Sequence, residues 1–333
     1  MIITRTPFRM SFFGGGTDMP EFFRENGGSV ISTTFDKYCY VTARHLPPFF
    51  DYRDEAVYSR IERVADPSEF EHPAVRNAME MLDMRDVRVA YEADLPARSG
   101  LGTSSSFAVG LLNAFHCMKG TYASKERLAR EAIRLERDLC REAGGWQDQV
   151  AAAYGGLNRI DFAGDSFSVR PVVISNERRR ELESSLLMFF TGFTRFSSEM
   201  QKENRVADKI ALLKEMLALV DEAEAALTDK SRPLSDFGRL LDETWRLKRG
   251  TGSRVSTGPI DELYARGMAA GALGGKLLGA GGGGFLVFFA EPDARESVRA
   301  ALSDLLYIPF EFESDGTRVV YYDPEDYVPE GGR

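Results

Sequence analysis

Residues 96–106 read Pro96-Ala97-Arg98-Ser99-Gly100-Leu101-Gly102-Thr103-Ser104-Ser105-Ser106, and the segments on either side have different hydrophobic patterns. Before this run, residues 87–93 alternate apolar and polar side chains, which predicts a strand with one buried face. After it, residues 104–119 are small and apolar, and they begin with serines that can cap a helix. The sequence therefore predicts a strand, a glycine-rich loop and a helix in succession.

The composition of this loop suits the binding of a polyphosphate. Glycine has no Cβ, so the backbone around Gly100 and Gly102 can turn tightly and approach phosphate oxygens closely. The free N–H groups at the start of the following helix add the positive end of its dipole. The hydroxyl groups after Gly102 can also ligate Mg²⁺, which prefers oxygen ligands. A strand-to-helix turn with a serine cap is the alternative, because a short glycine pattern is weakly specific.

Neither of two common nucleotide-binding motifs occurs in its usual context. No GxxxxGK[ST] run occurs, which excludes a Walker-type loop. No GxGxxG follows the first strand with an acidic residue about 20 positions later, which disfavours a dinucleotide-binding fold.

Composition and charge limit the class of protein. The chain has 333 residues, 43% of them hydrophobic, so it can form two domains or one large domain. Its 42 basic and 51 acidic residues give a net charge of −9, which argues against nucleic-acid binding and against binding to anionic membranes. No stretch approaches the about 20 apolar residues that span a bilayer.

The sequence contains few cysteines and histidines, which limits the covalent and metal sites that it can form. Three cysteines without a CxxC pair and three separated histidines make a disulfide framework, a zinc site or a histidine triad improbable. The first seven residues lack a basic region followed by an apolar stretch, so we expect no signal peptide. A protein of the reducing cytoplasm is the expectation.

The periodicity along the chain predicts further elements, and we place a domain boundary near residues 175–185. Strands are predicted at 29–44, 157–162, 186–190, 284–290 and 317–322. Helices are predicted at 125–143, around 207–220, and at 233–249, 259–270 and 292–305.

The run at 96–106 resembles the phosphate-binding motif of the GHMP kinases, Pro-x-x-x-Gly-Leu-Gly-Ser-Ser-Ala-Ala. The matching residues are Pro96, Gly100, Leu101 and Gly102. Thr103 and Ser104 stand at the paired serines, and the two serines that follow replace alanines. The departure is mild, because hydroxyl groups remain where the motif has them.

Two further segments resemble motifs of the same family. Residues 7–18, PFRMSFFGGGTD, are similar to its N-terminal sugar-kinase signature. Residues 276–285, KLLGAGGGGF, are similar to its C-terminal glycine-rich motif, which implies that they complete the site. Three motifs in the family's order cover the whole chain and form a very specific signal.

Within the family, the triple glycine before Thr17-Asp18 is most similar to the D-glycero-D-manno-heptose 7-phosphate kinases. This implies phosphorylation of the anomeric hydroxyl to the 1,7-bisphosphate, for nucleotide-activated heptose. Galactokinases carry Glu-His where Gly15-Gly16 stand here, which argues against galactose. A fucokinase-like enzyme, another sugar 1-kinase and a catalytically silent sugar sensor remain alternatives.

The resemblance implies roles for four residues that bear the chemistry. Asp148, in Gly-Trp-Gln-Asp-Gln, resembles the proposed base of galactokinases, and its alternative role is a helix cap. Arg9 stands at the arginine of the N-terminal signature and would stabilise the transferring charge. Glu136, 12 positions before Asp148, would hold Mg²⁺ together with Ser104. Glu131 competes for that role, and Glu136 could also be a solvated helix residue.

The same resemblance divides the remaining site residues between ATP and the sugar. The residues expected at ATP and its phosphates are Pro96, Gly100, Leu101, Gly102, Thr103, Ser104 and Ser105. The residues expected at the sugar are Gly15, Gly16, Thr17, Asp18, Arg195, Gly281 and Gly282. For a distal phosphate, Arg195 and the basic residues Lys248, Arg249 and Arg254 are candidates.

The resemblance also implies the architecture. We expect a two-domain α/β (α+β) fold with the active site in the cleft. The N-terminal domain, residues 1–180, would hold a mixed sheet, the phosphate loop and Asp148. The C-terminal domain, residues 181–333, would be ferredoxin-like. ATP and Mg²⁺ are the expected cofactors, a sugar phosphate is the expected partner, and a monomer or homodimer is expected, without nucleic acid or membrane.

Overall fold

The computed structural model describes residues 1–97, 99–192, 209–252 and 255–324, and these contain two sheets. The strands are β1 (Ile2–Phe13), β2 (Gly28–His45), β3 (Asp54–Val57), β4 (Ile61–Val64), β5 (Val87–Ala93), β6 (Asn158–Ala163), β7 (Ser166–Pro171), β8 (Leu186–Phe190), β9 (Gly274–Leu277), β10 (Phe285–Phe289), β11 (Leu306–Ile308), β12 (Phe312–Glu313) and β13 (Arg318–Tyr322).

Ten α-helices lie within the described residues. They are α1 (Pro20–Asn26), α2 (Pro73–Met81), α3 (Thr103–Met118), α4 (Lys125–Ile133), α5 (Gln147–Tyr154), α6 (Asn176–Ser185), α7 (Ile210–Thr228), α8 (Ser235–Gly250), α9 (Gly258–Ala269) and α10 (Arg295–Ala301). A π-helical segment, Arg134–Leu139, continues α4, and short 3₁₀ turns occupy Pro67–Glu69 and Pro292–Ala294.

The larger sheet is mixed and has nine strands. Its main order is β13-β1-β2-β5-β3-β4, with β12 and β6 also pairing with β2, and β7 pairing with β6. The long strands β1 and β2 are antiparallel, whereas β3 runs parallel to β5. The smaller sheet is antiparallel, in the order β11-β8-β10-β9. Helix α3 follows β5 and packs on β1 and β2.

The buried aromatic residues of strand β1 pack against helix α8 of the C-terminal half. Phe12 and Phe13 contact Phe237 of α8 edge to face, with ring centroids 5.3 and 5.1 Å apart. Such pairs contribute about 0.5–1.5 kcal/mol beyond the area they bury. All three rings are completely buried. Aromatic packing therefore holds the C-terminal half against the strand that carries the first motif.

Most of the predicted elements are confirmed. Strands β5 and β8 have the predicted bounds, and α3 lies one residue from its prediction. The prediction of one helix over 125–143 was wrong at its end, because the helix becomes π-helical at Arg134 and stops at Leu139. Helix α6 was not predicted, since its charged sequence buries only Leu182 and Ser185. None of the described helices is long and apolar enough to cross a membrane.

The C-terminal strands return to the larger sheet. Strand β12 pairs with β2, and β13 pairs with the start of β1. The division into residues 1–180 and 181–333 stays a prediction. We propose instead that the first domain includes β12 and β13, because they complete its sheet.

Candidate active site

The first motif forms the end of β1 and a tight turn. Gly14 has φ +75°, and a Cβ at this position would lie 1.9 Å from the carbonyl oxygen of Ser29. The buried Thr17 hydroxyl donates to the carbonyl oxygens of Gly14 and Ser29, at 2.8 and 2.9 Å. The turn therefore requires glycine at position 14, and Thr17 fixes it against β2.

The second motif forms the predicted loop at the N-terminus of α3. Gly100 and Gly102 have φ of +83° and +71°, a region that disfavours other residues. Gly102 directly precedes α3, so the free N–H groups of this 16-residue helix point back towards the loop. The Ser99 hydroxyl donates to the Pro96 carbonyl oxygen at 2.7 Å and closes the start of the loop. This arrangement can bind phosphate oxygens.

The third motif, between β9 and β10, lies against the second. A Cβ on Gly279 would lie 2.3 Å from the Cα of Gly100, and one on Gly284 would lie 2.1 Å from the Ser99 carbonyl oxygen. The two backbones touch at a separation that no side chain allows. The glycine-rich motif therefore supports the phosphate loop.

Arg9 and Asp148 form a two-pronged ion pair beside this loop. Arg9 Nε donates to Asp148 Oδ1 and Arg9 Nη2 donates to Asp148 Oδ2, both at 2.7 Å. Arg9 Nη1 donates to the Gly100 carbonyl oxygen at 2.7 Å. Bidentate pairs of this kind are strong and directional. The Asp148 side chain keeps 27% of its surface exposed, so a substrate can reach it.

Asp18 positions the helix that carries Asp148. Its Oδ2 accepts from the Gln147 backbone N–H at 3.2 Å, and its Oδ1 accepts from the Gly16 N–H at 2.9 Å. A Cβ at Gly145 would lie 1.8 Å from Asp18 Oδ2. Burial raises the pKa of Asp18, as does the nearby Asp148 charge. The observed hydrogen bonds of Asp18 are to backbone N–H groups and to the Gln147 side chain, and its contact with sugar stays a prediction.

Glu136 lies beneath the start of α3. Its Oε2 accepts from Ser105 Oγ and from Gln149 Nε2, both at 2.6 Å, and its carboxylate also hydrogen-bonds Ser104. Burial raises its pKa to about 7, and the Glu142 charge adds to the effect. Glu136 lies on the π-helical segment, a geometry frequent at functional sites. A buried carboxylate beside an exposed serine suits a cation.

The competing glutamate, Glu131, is occupied elsewhere. It accepts from His116 Nε2 at 2.6 Å and from Arg127 Nε at 2.8 Å. Within the described part of the chain, no three His, Cys, Asp or Glu side chains meet as a metal site. A cation at Glu136 would therefore depend on one carboxylate, on serine hydroxyls and on phosphate oxygens, which is a usual set for Mg²⁺.

Two lysines of the C-terminal half reach the site. Lys248 Nζ, at the end of α8, donates to the Gly279 carbonyl oxygen at 2.5 Å. Burial and the Arg9 charge lower its pKa to about 8, while Asp18 and Asp148 oppose this shift. Lys276 Nζ is buried and donates to the Phe12 carbonyl oxygen at 2.7 Å. Burial, Lys248 and Arg9 lower its pKa well below the usual range.

The structure brings most of the predicted residues together, with exceptions. Gly281 and Gly282 contact the backbone of Val255. Arg195 and Arg254 lie outside the described residues. Arg249 pairs with Asp261.

Sequence reasoning missed three residues that line the site: Ser11, Gln147 and Gln149. The signal for Ser11 lay in the alternation of β1. Arg9 and Ser11 are polar residues on one face of a strand that is otherwise apolar there. Gln147 and Gln149 flank Asp148 in a segment whose helical form was not predicted.

Comparisons with known proteins agree with this geometry. The model of the GHMP kinases N terminal domain matches residues 70–156, and that of the GHMP kinases C terminal matches residues 216–308. The D-glycero-alpha-D-manno-heptose 7-phosphate kinase of Campylobacter jejuni is 29% identical, over 95% of this chain and 98% of that protein.

Two further relatives cover most of the chain. The bifunctional fucokinase/GDP-fucose pyrophosphorylase of Arabidopsis thaliana is 26% identical, over 86% of this chain and 29% of that protein. A D-glycero-D-manno-heptose 1-phosphate kinase from Bacteroides thetaiotaomicron has a crystal structure that matches with a TM-score of 0.79 and 25% identity, over 96% of this chain and 99% of that chain. With both family models matched, the chain belongs to the GHMP kinase family and is a sugar kinase.

Proposed function

We propose that the protein transfers the γ-phosphoryl group of ATP to the anomeric hydroxyl of D-glycero-D-manno-heptose 7-phosphate, giving ADP and the 1,7-bisphosphate. The observation that carries this proposal is the Arg9–Asp148 pair. Arg9 is bonded to the phosphate loop at Gly100 and to the partly exposed carboxylate of Asp148. The pair thus links the place for the donor to the place for the acceptor.

The N-terminus of α3 and the loop before it would hold the ATP phosphates through backbone N–H groups. Mg²⁺ would be held by Glu136 and Ser104, which fit it because a buried carboxylate and a hydroxyl meet there. When bound, the ion would neutralise charge on the phosphates. Gln149 and Ser105 keep the Glu136 carboxylate oriented towards the loop.

The acceptor oxygen attacks the γ-phosphorus as the bond to the β-phosphate oxygen breaks, and its proton passes to the Asp148 carboxylate. An anomeric hydroxyl is more acidic than an ordinary alcohol, so the demand on Asp148 is modest. Arg9 holds both carboxylate oxygens and offers positive charge to the transferring group. Phosphoryl transfer needs alignment and charge neutralisation above all.

The choice of sugar rests on the relatives. The Campylobacter jejuni protein is named for heptose 7-phosphate and aligns along nearly its whole length. The Bacteroides thetaiotaomicron structure is named for heptose 1-phosphate, so the two names place the phosphate differently. A fucose 1-kinase is the second candidate, favoured by the 26% identity with the Arabidopsis thaliana protein.

A panel of sugars tests this proposal. ADP release is measured with heptose 7-phosphate, heptose 1-phosphate, free heptose and fucose, and phosphorus NMR locates the new ester. We expect turnover with heptose 7-phosphate and a new signal from the anomeric phosphate. Faster turnover of fucose than of heptose 7-phosphate would instead support the second candidate, a fucose 1-kinase. An absence of turnover with every sugar would favour a silent sugar sensor.

A further inference from the structure

Gly15 differs from its two glycine neighbours, because neither backbone conformation nor packing requires it. Gly14 and Gly16 have positive φ, at +75° and +107°, whereas Gly15 does not. A Cβ on Gly14 would collide with Ser29, but one on Gly15 would meet only ordinary van der Waals contacts. A side chain would therefore fit at position 15, and glycine leaves that space open.

Three polar side chains surround this space. The atoms nearest to a Cβ built on Gly15 are Gln147 Nε2 at 3.7 Å, Ser11 Oγ at 3.8 Å and Lys248 Nζ at 3.9 Å. They come from α5, β1 and α8, so both halves of the chain contribute. Below, these three side chains and the space at Gly15 are called the Gly15 socket.

Two of these side chains carry buried atoms without a partner. Ser11 Oγ and Gln147 Oε1 have no hydrogen-bond partner, and the two residues are 6% and 9% exposed. An unpaired buried polar group costs about 1–3 kcal/mol. A bound phosphoryl oxygen could accept from the unpaired Ser11 hydroxyl and from Gln147 Nε2, which lies nearest to the Gly15 space. Gln147 Oε1 is an acceptor and would need a donor instead, such as a hydroxyl group of the same reactant.

The charges around the socket favour an anion. Arg9 and Asp148 neutralise each other, and Asp18 is already hydrogen-bonded by backbone N–H groups. Lys248 donates only to a neutral carbonyl group among its described hydrogen bonds, and Lys276 does the same. The Asp18 and Asp148 charges act on Lys248 without a direct ion pair, so its ammonium group, which lies 3.9 Å from the Gly15 Cβ position, can still donate to a bound oxygen.

We propose that the Gly15 socket binds a phosphoryl oxygen of the reactants, held by Lys248 and by the side chains of Ser11 and Gln147. This inference rests on the proposed function, because it concerns the acceptor side of the same site. The oxygen belongs either to the acceptor's own phosphate or to the phosphoryl group in transfer. Both offer the same chemistry, a charged oxygen that accepts hydrogen bonds.

The direct test measures the binding of inorganic phosphate by calorimetry, with the nucleotide site filled either by ADP or by a non-hydrolysable ATP analogue. Lys248→Met removes the positive charge, and Gly15→Ala fills the space without strain. Gly258→Ala is the matched control, since Gly258 has no positive φ and no atoms within 4 Å of the added Cβ.

We expect the two socket variants to weaken phosphate binding at least tenfold, and the control to bind like the wild type. If inorganic phosphate binds in the presence of either nucleotide, the Gly15 socket is assigned to the acceptor's own phosphate. If phosphate binds in the presence of ADP but not of the ATP analogue, the socket is assigned to the transferred phosphoryl group. Equal binding by wild type, Lys248→Met and Gly15→Ala would overturn the proposal. The sugar panel decides the proposed function separately, because this measurement needs no turnover.

Discussion

The two sides of the Arg9–Asp148 pair differ in charge. The side proposed for the nucleotide, formed by Ser104, Ser105, Glu136 and Gln149, is built around a buried carboxylate that accepts hydrogen bonds from its neighbours. The side proposed for the acceptor, formed by Ser11, Gly15, Gln147 and Lys248, is built around a lysine and unpaired polar atoms.

This difference shows how one cleft can hold reactants of unlike chemistry. A buried anion stabilises a cation beside it, and a half-buried cation stabilises an anion. As proposed above, Mg²⁺ with ATP on one side and a phosphoryl oxygen on the other would satisfy both sides. The Arg9–Asp148 pair is neutral as a unit and separates them.

Removing the pair's carboxylate should have the largest effect. Asp148→Asn keeps the shape but cannot take the acceptor proton, so we expect kcat to fall by about 10²–10⁴-fold. Nucleotide binding should persist, because no loop contact is lost. Steady-state kinetics and calorimetry with ATP measure the two effects. Normal turnover in this variant would refute the role of Asp148.

On the nucleotide side, Glu136→Gln should weaken the Mg²⁺ dependence. Loss of a charged ligand worth about 1.5–3 kcal/mol raises the Mg²⁺ concentration for half-maximal activity by roughly tenfold to a hundredfold. Glu131→Gln is the matched control, because Glu131 pairs with His116 and Arg127 instead. An equal effect of the two substitutions would remove Glu136 from the metal site.

Gly279 contacts both sides of the ion pair. Its backbone packs against Gly100 of the phosphate loop, and its carbonyl oxygen accepts from Lys248 on the other side. Gly279→Ala should destabilise the fold by about 1–3 kcal/mol through overpacking and should raise KM for both reactants. Gly164→Ala isolates the backbone strain, since Gly164 has φ +56° and open space. Denaturant unfolding compares the two variants. Equal losses of unfolding free energy would show that the contact between Gly279 and Gly100 is unimportant.

The pKa of Glu136 predicts the smallest effect. It is raised from 4.5 to about 7, so the folded state binds a proton more tightly than the unfolded state. Without a bound metal ion, protonated Glu136 therefore stabilises the folded state below pH 4.5, and this stabilisation is lost as the pH rises through 7. A cation needs the carboxylate, so the Mg²⁺ requirement should rise up to about tenfold from pH 8 to pH 6. This Mg²⁺ requirement is measured by titrating activity against Mg²⁺ at each pH. Glu136→Gln is the control, because its Mg²⁺ requirement should not change over this pH range.

Much of the site could be predicted because its motifs reflect the backbone conformation of the residues within them. The glycines at 100 and 102 have positive φ, which is a property of their own backbone. The placement of Asp148 beside the loop was also inferred, from a motif, although no spacing in the sequence gives a contact across 139 positions. Ser11 and Gln147 escaped prediction, because their importance depends on two buried atoms, Ser11 Oγ and Gln147 Oε1, that the tertiary structure leaves without a partner.

The sequence by itself determined the order of three motifs, the strand–loop–helix of the phosphate loop and the residues at the ion pair. Local backbone preferences and hydrophobic alternation encode the strand, the loop and the helix within a few residues, whereas Arg9 and Asp148 are identified by the motifs around them. Only the tertiary structure decided that Gly279 touches Gly100, that Glu136 and not Glu131 lies beneath the loop, and that Lys248 faces Gly15. These contacts join residues that are far apart in the sequence, so tertiary packing sets them and no local pattern carries them.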